Sequence, residues 1–231
     1  MKNKNPTWER NYKNKRFNKY PYDAVVSFIF KNFKKKNRNK IKILDLGCGG
    51  GNNSYFIAKE GFDLYAVDGS KESIKLTRNK LNFYDKKKII KSDFTKLPYN
   101  KDFFNCIVDR QSLGCNKIND IKKIINEIYR VLKKGGKYLG FYFSLEHPQI
   151  KFGNLLSYNK LGKKIIGGDY SNFSRGDFKK SGLLHFFSER EIFLLFEKFK
   201  KVNVLKNIEK KIKNKKLEEI VSTTFVVEVT K

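Results

Sequence analysis

Residues 41–46 are apolar and β-branched enough for a buried strand, and they run straight into Gly47, Gly49, Gly50 and Gly51 ahead of a helical stretch carrying Phe56 and Ile57. No other feature of the chain restricts its fold as tightly. Glycine lets a backbone turn sharply and approach a ligand closely. A strand that passes through such a turn into a helix places a ligand site at the C-terminal edge of a parallel sheet. A nicotinamide fingerprint, G-x-G-x-x-G, would need its third glycine at position 52, which is Asn52. The spacing therefore disfavours a pyrophosphate-binding dehydrogenase.

Strands and helices alternate along the rest of the chain. This predicts an α/β fold, a Rossmann-like doubly wound, mostly parallel seven-stranded sheet with helices on both faces. Further strands are expected at residues 64–67, 89–90, 104–108, 137–143, 202–205 and 223–229. Val25, Phe28, Ile29 and Phe33 mark one face of an early helix, followed by a solvated connection at 34–40. Ser70 is placed to cap the helix that carries Ile74, Thr77 and Leu81. Ile121, Ile124, Ile125, Ile128, Val131 and Leu132 recur at three and four residues, the period of a helix packed on one side. Gly135–Gly136 suits the end of that helix. Ser188–Glu189–Arg190–Glu191 reads as a capping box for the last helix.

The chain divides into an N-terminal cap (1–40), a ligand-binding core (41–143), an insertion after the fifth strand (144–187), and a C-terminal helix with closing strands (188–231). The insertion is too long for an ordinary connection. It mixes six glycines with Phe152, Tyr158, Tyr170, Phe173 and Phe178, and reads as a lid or substrate-binding segment. The polar N-terminal segment carries Trp8, Tyr12, Phe17 and Tyr20; Trp8, Tyr12 and Tyr20 fit either a flap over the cofactor or ordinary docking onto the sheet.

Three strands in succession end in an acid at one edge. Asp45 lies two residues before the first glycine, which is unfavourable for a pyrophosphate but suits a ligand with an ammonium or sulfonium group. Asp68, 23 residues on, can accept both hydroxyls of a ribose. Asp93 can accept from an amino group on a base. Together with the glycine turn they point to one adenosine-like ligand.

The run Ile43-Leu44-Asp45-Leu46-Gly47-Cys48-Gly49-Gly50-Gly51 resembles the first motif of class I S-adenosylmethionine-dependent methyltransferases. Ala66-Val67-Asp68 resembles the second. Ser92-Asp93-Phe94 with Leu97-Pro98-Tyr99 resembles the adenine-binding segment, and the runs 103–109 and 130–136 resemble the fourth strand and the turn before the fifth. The resemblance covers residues 41–143 and the closing strands. It implies S-adenosyl-L-methionine as cofactor. Asp68 would bind the ribose, Asp93 the adenine amino group and the Phe94 backbone a ring nitrogen. Gly47, Cys48, Gly49 and Gly51 would pass the methionine portion. Asp45 would hold the loop or meet the cofactor's amino group through water, and Asp109 would lie near the reacting methyl. Gly69 departs from the apolar residue the family often places against adenine.

The resemblance says little about the acceptor. A hydroxyl acceptor needs a base, and His147 and His185 are the candidates near neutral pH, with Asp109 a third catalytic candidate. Asp109–Arg110 also reads as an ion pair closing the strand. The formal charge is +28, which raises the expectation of a polyanionic partner. Lysine supplies most of it, however, and with abundant Asn, Ile and Phe this is the bias of an AT-rich coding sequence. The strand-4 end, Asp109-Arg110-Gln111-Ser112, lacks the Asn/Asp-Pro-Pro-aromatic motif of many base-amino methyltransferases, and no Pro-Cys nucleophile is present. The leading expectation is therefore methyl transfer to a small molecule, a sugar or other hydroxylated metabolite. The alternatives are an RNA methyltransferase and a non-catalytic methyltransferase-like partner subunit. No metal site is expected, since Cys48, Cys106 and Cys115 have no ligand spacing. No membrane span or secretory leader is read, and a cytoplasmic location is expected.

Overall fold

The computed structural model describes residues 6–14, 19–33, 37–213 and 217–231; Phe17 and part of the 34–40 connection lie outside them. Five parallel strands form the first half of the sheet: β1 (Lys42–Leu46), β2 (Asp63–Asp68), β3 (Ile89–Lys91), β4 (Phe104–Arg110) and β5 (Leu132–Ser144). Their order is β3-β2-β1-β4-β5, so the chain reverses direction across the sheet between β1 and β4. That reversal opens a crevice at the strand ends, where ligands bind in this architecture. The closing strands β9 (Lys201–Lys213) and β10 (Leu217–Thr230) complete the seven expected strands, with β10 antiparallel to β5. Both are longer than the sequence pattern predicts. Their ladder continues through charged residues, where apolar alternation gives no signal.

The insertion is not a separate layer. It supplies β6 (Asn154–Leu161), β7 (Lys164–Ser171) and β8 (Leu184–Phe187), which extend the same sheet and bring it to ten strands among the described residues. Where β4 ends, β8 takes its place beside β5, pairing Phe186 with Phe143 and Phe187 with Ser144. A small aromatic cluster of Phe173, Phe178, Leu184 and Phe186 holds this unit together.

Among the described residues six α-helices flank the sheet: α1 (Pro6–Lys13), α2 (Asp23–Asn32), α3 (Asn52–Lys59), α4 (Lys71–Lys80), α5 (Ile118–Val131) and α6 (Glu189–Leu195). The isoleucine face of α5 is buried against β4, β5 and the α6 region. The α2 and α3 side of the sheet forms a second apolar layer. Ser70 caps α4 as expected, its side chain accepting the Ser73 N–H at 3.1 Å. No helix of the described residues is long and apolar enough to cross a membrane.

Two local expectations are corrected. Gly135–Gly136 does not cap α5. The helix ends at Val131, and Leu132 is already extended and paired with Phe104. Gly135, at φ 73°, instead turns the chain so that its N–H reaches the carbonyl of Lys231. The capping box at α6 is only half formed. Ser188 accepts the Glu191 N–H, but the Glu191 side chain does not return to Ser188, whose N–H bonds the Ile166 carbonyl. The carboxylate is drawn to His185, as described below.

Candidate active site

The glycine turn leaves β1 with Gly47, Gly49 and Gly51 all at positive φ, where side chains are strained. Space is as restrictive as conformation. A Cβ on Gly47 would fall 2.2 Å from that of Ser112, and one on Gly49 would fall 2.6 Å from the Tyr12 hydroxyl. The turn is thus held between the loop after β4 and helix α1.

Asp68 ends β2 at the mouth of this turn. Its Oδ2 accepts the Gly49 N–H at 2.9 Å and its Oδ1 accepts the Ser70 N–H at 2.8 Å. A carboxylate has about four lone-pair sites, so each oxygen keeps capacity for another donor. The group is 8% exposed rather than solvent-facing, and burial raises its pKa. At the end of β3, both Thr95 donors fall on Asp93 Oδ1, and Oδ2 is uncommitted among the described residues. Phe94 lies beside it on the same wall.

Two predicted acids lie beneath the site instead of in it. Asp45 is buried and accepts the Ser54 hydroxyl at 2.5 Å, tying β1 to the start of α3; burial pushes its pKa up to about 7. Asp109 is fully buried. It accepts the Ser112 N–H at 2.8 Å, contacts the Ser112 hydroxyl, and accepts from Tyr138 at 3.2 Å. Burial raises its pKa to about 6. Neither carboxylate lines the cavity, so both act on the loops that shape it. The expected Asp109–Arg110 pair does not form. Successive residues of a strand face opposite sides, and Arg110 stands over the rings of Tyr22 (4.0 Å) and Phe141 (4.9 Å).

The cavity has a volume of about 1040 Å³ and runs from Asp93 past Asp68, Gly69 and the glycine turn to Arg110. Cys48 lines it too, with its thiol against Thr77 and held protonated by burial. Helix α1 roofs it through Trp8 and Tyr12, and Glu9 accepts the Lys71 N–H at the top of α4. Among the described residues the insertion contributes Leu183 alone to the wall, and Tyr20 is 76% exposed. Neither histidine reaches the cavity. His147 packs among Phe143, Phe178 and Phe186, accepts the Gln149 N–H, and is driven by burial to a pKa of about 4. His185 is buried between Asp169 (2.6 Å) and Glu191 (2.8 Å).

A strand-end acid over a glycine turn, with an open acceptor at the next strand, offers hydrogen-bond acceptors of the kind an adenosine's hydroxyls and amino group need. A family model described as a methyltransferase domain matches residues 37–185. The chain belongs to this methyltransferase family. It is 32% identical over 103 residues to a demethylmenaquinone methyltransferase of Clavibacter sepedonicus, covering 45% of this chain and 41% of the relative. It is 31% identical over 140 residues to a ubiquinone biosynthesis O-methyltransferase of Pelagibacter ubique, covering 56% of each. The chain thus spans about half the length of these curated relatives. A solved S-adenosylmethionine-dependent methyltransferase of Methanosarcina mazei has the same fold, with a TM-score of 0.63 at 17% identity over 92% of this chain and 98% of that one. A Burkholderia thailandensis 1,6-didemethyltoxoflavin-N1-methyltransferase, solved with S-adenosylhomocysteine, aligns at 0.60 and 15% identity over 96% and 84%. S-adenosylmethionine is the cofactor of this family, and the free capacity on Asp68 and Asp93 fits its ribose and adenine.

Helix α1 was legible only as aromatic residues in a polar segment, and the buried environment of the histidines was not legible at all.

Proposed function

We propose that the chain transfers a methyl group from S-adenosylmethionine to a small, hydroxylated, ring-bearing acceptor. The observation that carries this reading is the cavity itself, continuous from the Asp68 edge to Arg110 and closed over by α1. Its volume is at the top of the roughly 300–1,000 Å³ usual for ligand pockets, enough for a cofactor and a small second ligand. Aromatic walls at Trp8, Tyr12, Tyr22 and Phe94 suit a ring, and the quinone-pathway names of the curated relatives agree with that.

The cofactor brings an activated sulfonium methyl, so the protein's part is to bind, orient and exclude water. Asp68 would take the ribose hydroxyls, Asp93 the adenine amino group, and the Phe94 backbone the ring nitrogen beside it. Gly47, Cys48, Gly49 and Gly51 leave the methionine portion its path, and Gly69 leaves the adenine end open. Asp45 and Asp109 hold the two loops that meet at Ser112. The histidines sit outside the cavity, which leaves them structural roles.

Transfer of tritiated methyl from S-adenosylmethionine into fractionated extract, with RNA and small-molecule pools counted separately, tests the reading. Label is expected in the small-molecule pool. Site-specific label in one RNA, or none in either pool from a protein that binds the cofactor, would overturn it.

A further inference from the structure

Arg110 is a largely buried cation in the cavity wall with two idle donors. Its Nε and Nη1 are buried and have no hydrogen-bond partner. The adjacent Asp109 is spent on Ser112 and Tyr138 on the other face of the sheet. Glu209 on β9 is near enough to be felt electrostatically but takes no hydrogen bond from either nitrogen. A buried charge without a partner is costly, and among the described residues this one is covered by two aromatic faces and forms no ion pair.

Its position says which ligand would meet it. The sheet order β3-β2-β1-β4-β5 puts Asp93, Asp68, the glycine turn and Arg110 in sequence across the strand ends. Arg110 is the far end of that line from the adenine edge. Its register partner is Phe141 on β5, and its guanidinium also lies against Tyr22, whose N–H bonds Asn53 at the start of α3. Lys13 and Lys117 also line the cavity. Asp120, an acid of the wall outside the cofactor edge, is already met by Lys123 at 3.4 Å.

Resting on the methyltransferase reading above, we propose that the methyl acceptor carries an oxyanion, best a carboxylate, and that Arg110 recognises it at the end of the cavity opposite Asp68. The planar guanidinium matches a carboxylate in both charge and geometry. It would fix the ring of the acceptor by one edge while the aromatic walls hold its face.

The chain's single tryptophan, Trp8, lines the cavity and reports on it by fluorescence. The probes are benzoate, phenyl phosphate and the uncharged benzamide, titrated with and without saturating S-adenosylhomocysteine. The anions are expected to bind saturably and about tenfold or more tighter than benzamide. Arg110→Met should erase that preference, and Arg110→Lys should keep part of it. Affinity for S-adenosylhomocysteine should stay within about twofold in both variants, since no cofactor contact is altered. Arg110→Met should also melt no lower than the parent, because an unpartnered charge has been removed. Absence of anion preference, its survival in a folded Arg110→Met, or a lower melting temperature of that variant overturns the assignment. So does weakened S-adenosylhomocysteine binding, which would give Arg110 to the cofactor's own carboxylate. A parent protein that ignores S-adenosylhomocysteine overturns the methyltransferase reading itself.

Discussion

Asp68 and Gly49 are joined by a 2.9 Å hydrogen bond from the glycine N–H to the carboxylate, so the end of β2 and the turn after β1 are one unit. The acid that would hold the ribose also shapes the turn that would pass the methionine portion.

Asp68→Ala should therefore have two effects. S-adenosylhomocysteine affinity should fall by about 2–3 kcal/mol from lost charge-assisted hydrogen bonds. The melting temperature should also drop, because the Gly49 and Ser70 N–H groups lose their acceptor in a buried setting. Calorimetric titration and thermal melts check both. Unchanged affinity in a folded variant would mean that the ribose lies elsewhere.

The pH dependence of stability should carry the signature of Asp45. Its folded pKa is raised by burial to about 7 from 3.8. A raised pKa gives stability that is complete below the unfolded value and is lost as pH rises through the folded one. The window is thus about pH 4 to 7, and Asp109, raised to about 6, acts in the same direction. Asp45→Asn keeps an oxygen for Ser54 and removes the charge. Melting temperatures across that window should fall less steeply with pH than in the parent; an equal slope would count against the buried carboxylate as its source.

His185 should act as a fastener for the insertion. It is flanked by Asp169 of β7 and Glu191 of α6, and burial works against its charge while both hydrogen-bonded carboxylates raise its pKa above 6.5. This stabilisation is full below about pH 6.5 and is lost as pH rises through the raised value. Gly167 makes room for the arrangement, since a Cβ there would lie 1.9 Å from Glu191 Oε2. Hydrogen exchange in residues 154–171 should quicken at alkaline pH in the parent. Gly167→Ala should show that faster exchange already at neutral pH. Slow exchange in Gly167→Ala at neutral pH would show that Glu191 is not needed there.

The parts legible in the sequence were those written in local pattern. The glycine turn, the strand-end acids Asp68 and Asp93, and the isoleucine face of α5 each declare themselves within a few residues. What could not be read depends on which way a side chain turns and what folds back on it. Asp109 and Arg110 look like an ion pair as neighbours, yet the alternation of a strand sends them to opposite faces. Glu191 sits at the third helical position of a capping box, and the approach of His185 from β8 and of Asn159 from β6 diverts it. The insertion announces itself by its length, but its attachment to β5 through Phe143 and Ser144 is a long-range pairing with no local mark.

The roof of the cavity has a kinetic consequence. Helix α1 has eight residues, and helices below about 12–15 residues are marginal in water on their own. Its helicity is therefore sustained by the surface it covers, through Glu9 at Lys71 and Tyr12 over Gly49. Lifting the helix from the cavity removes the contacts that sustain it, so it is expected to loosen as it uncovers the site. Exchange of spent cofactor for fresh is then expected to require α1 to lift from the glycine turn, a step that removing the contacts of Glu9 or Tyr12 should make easier.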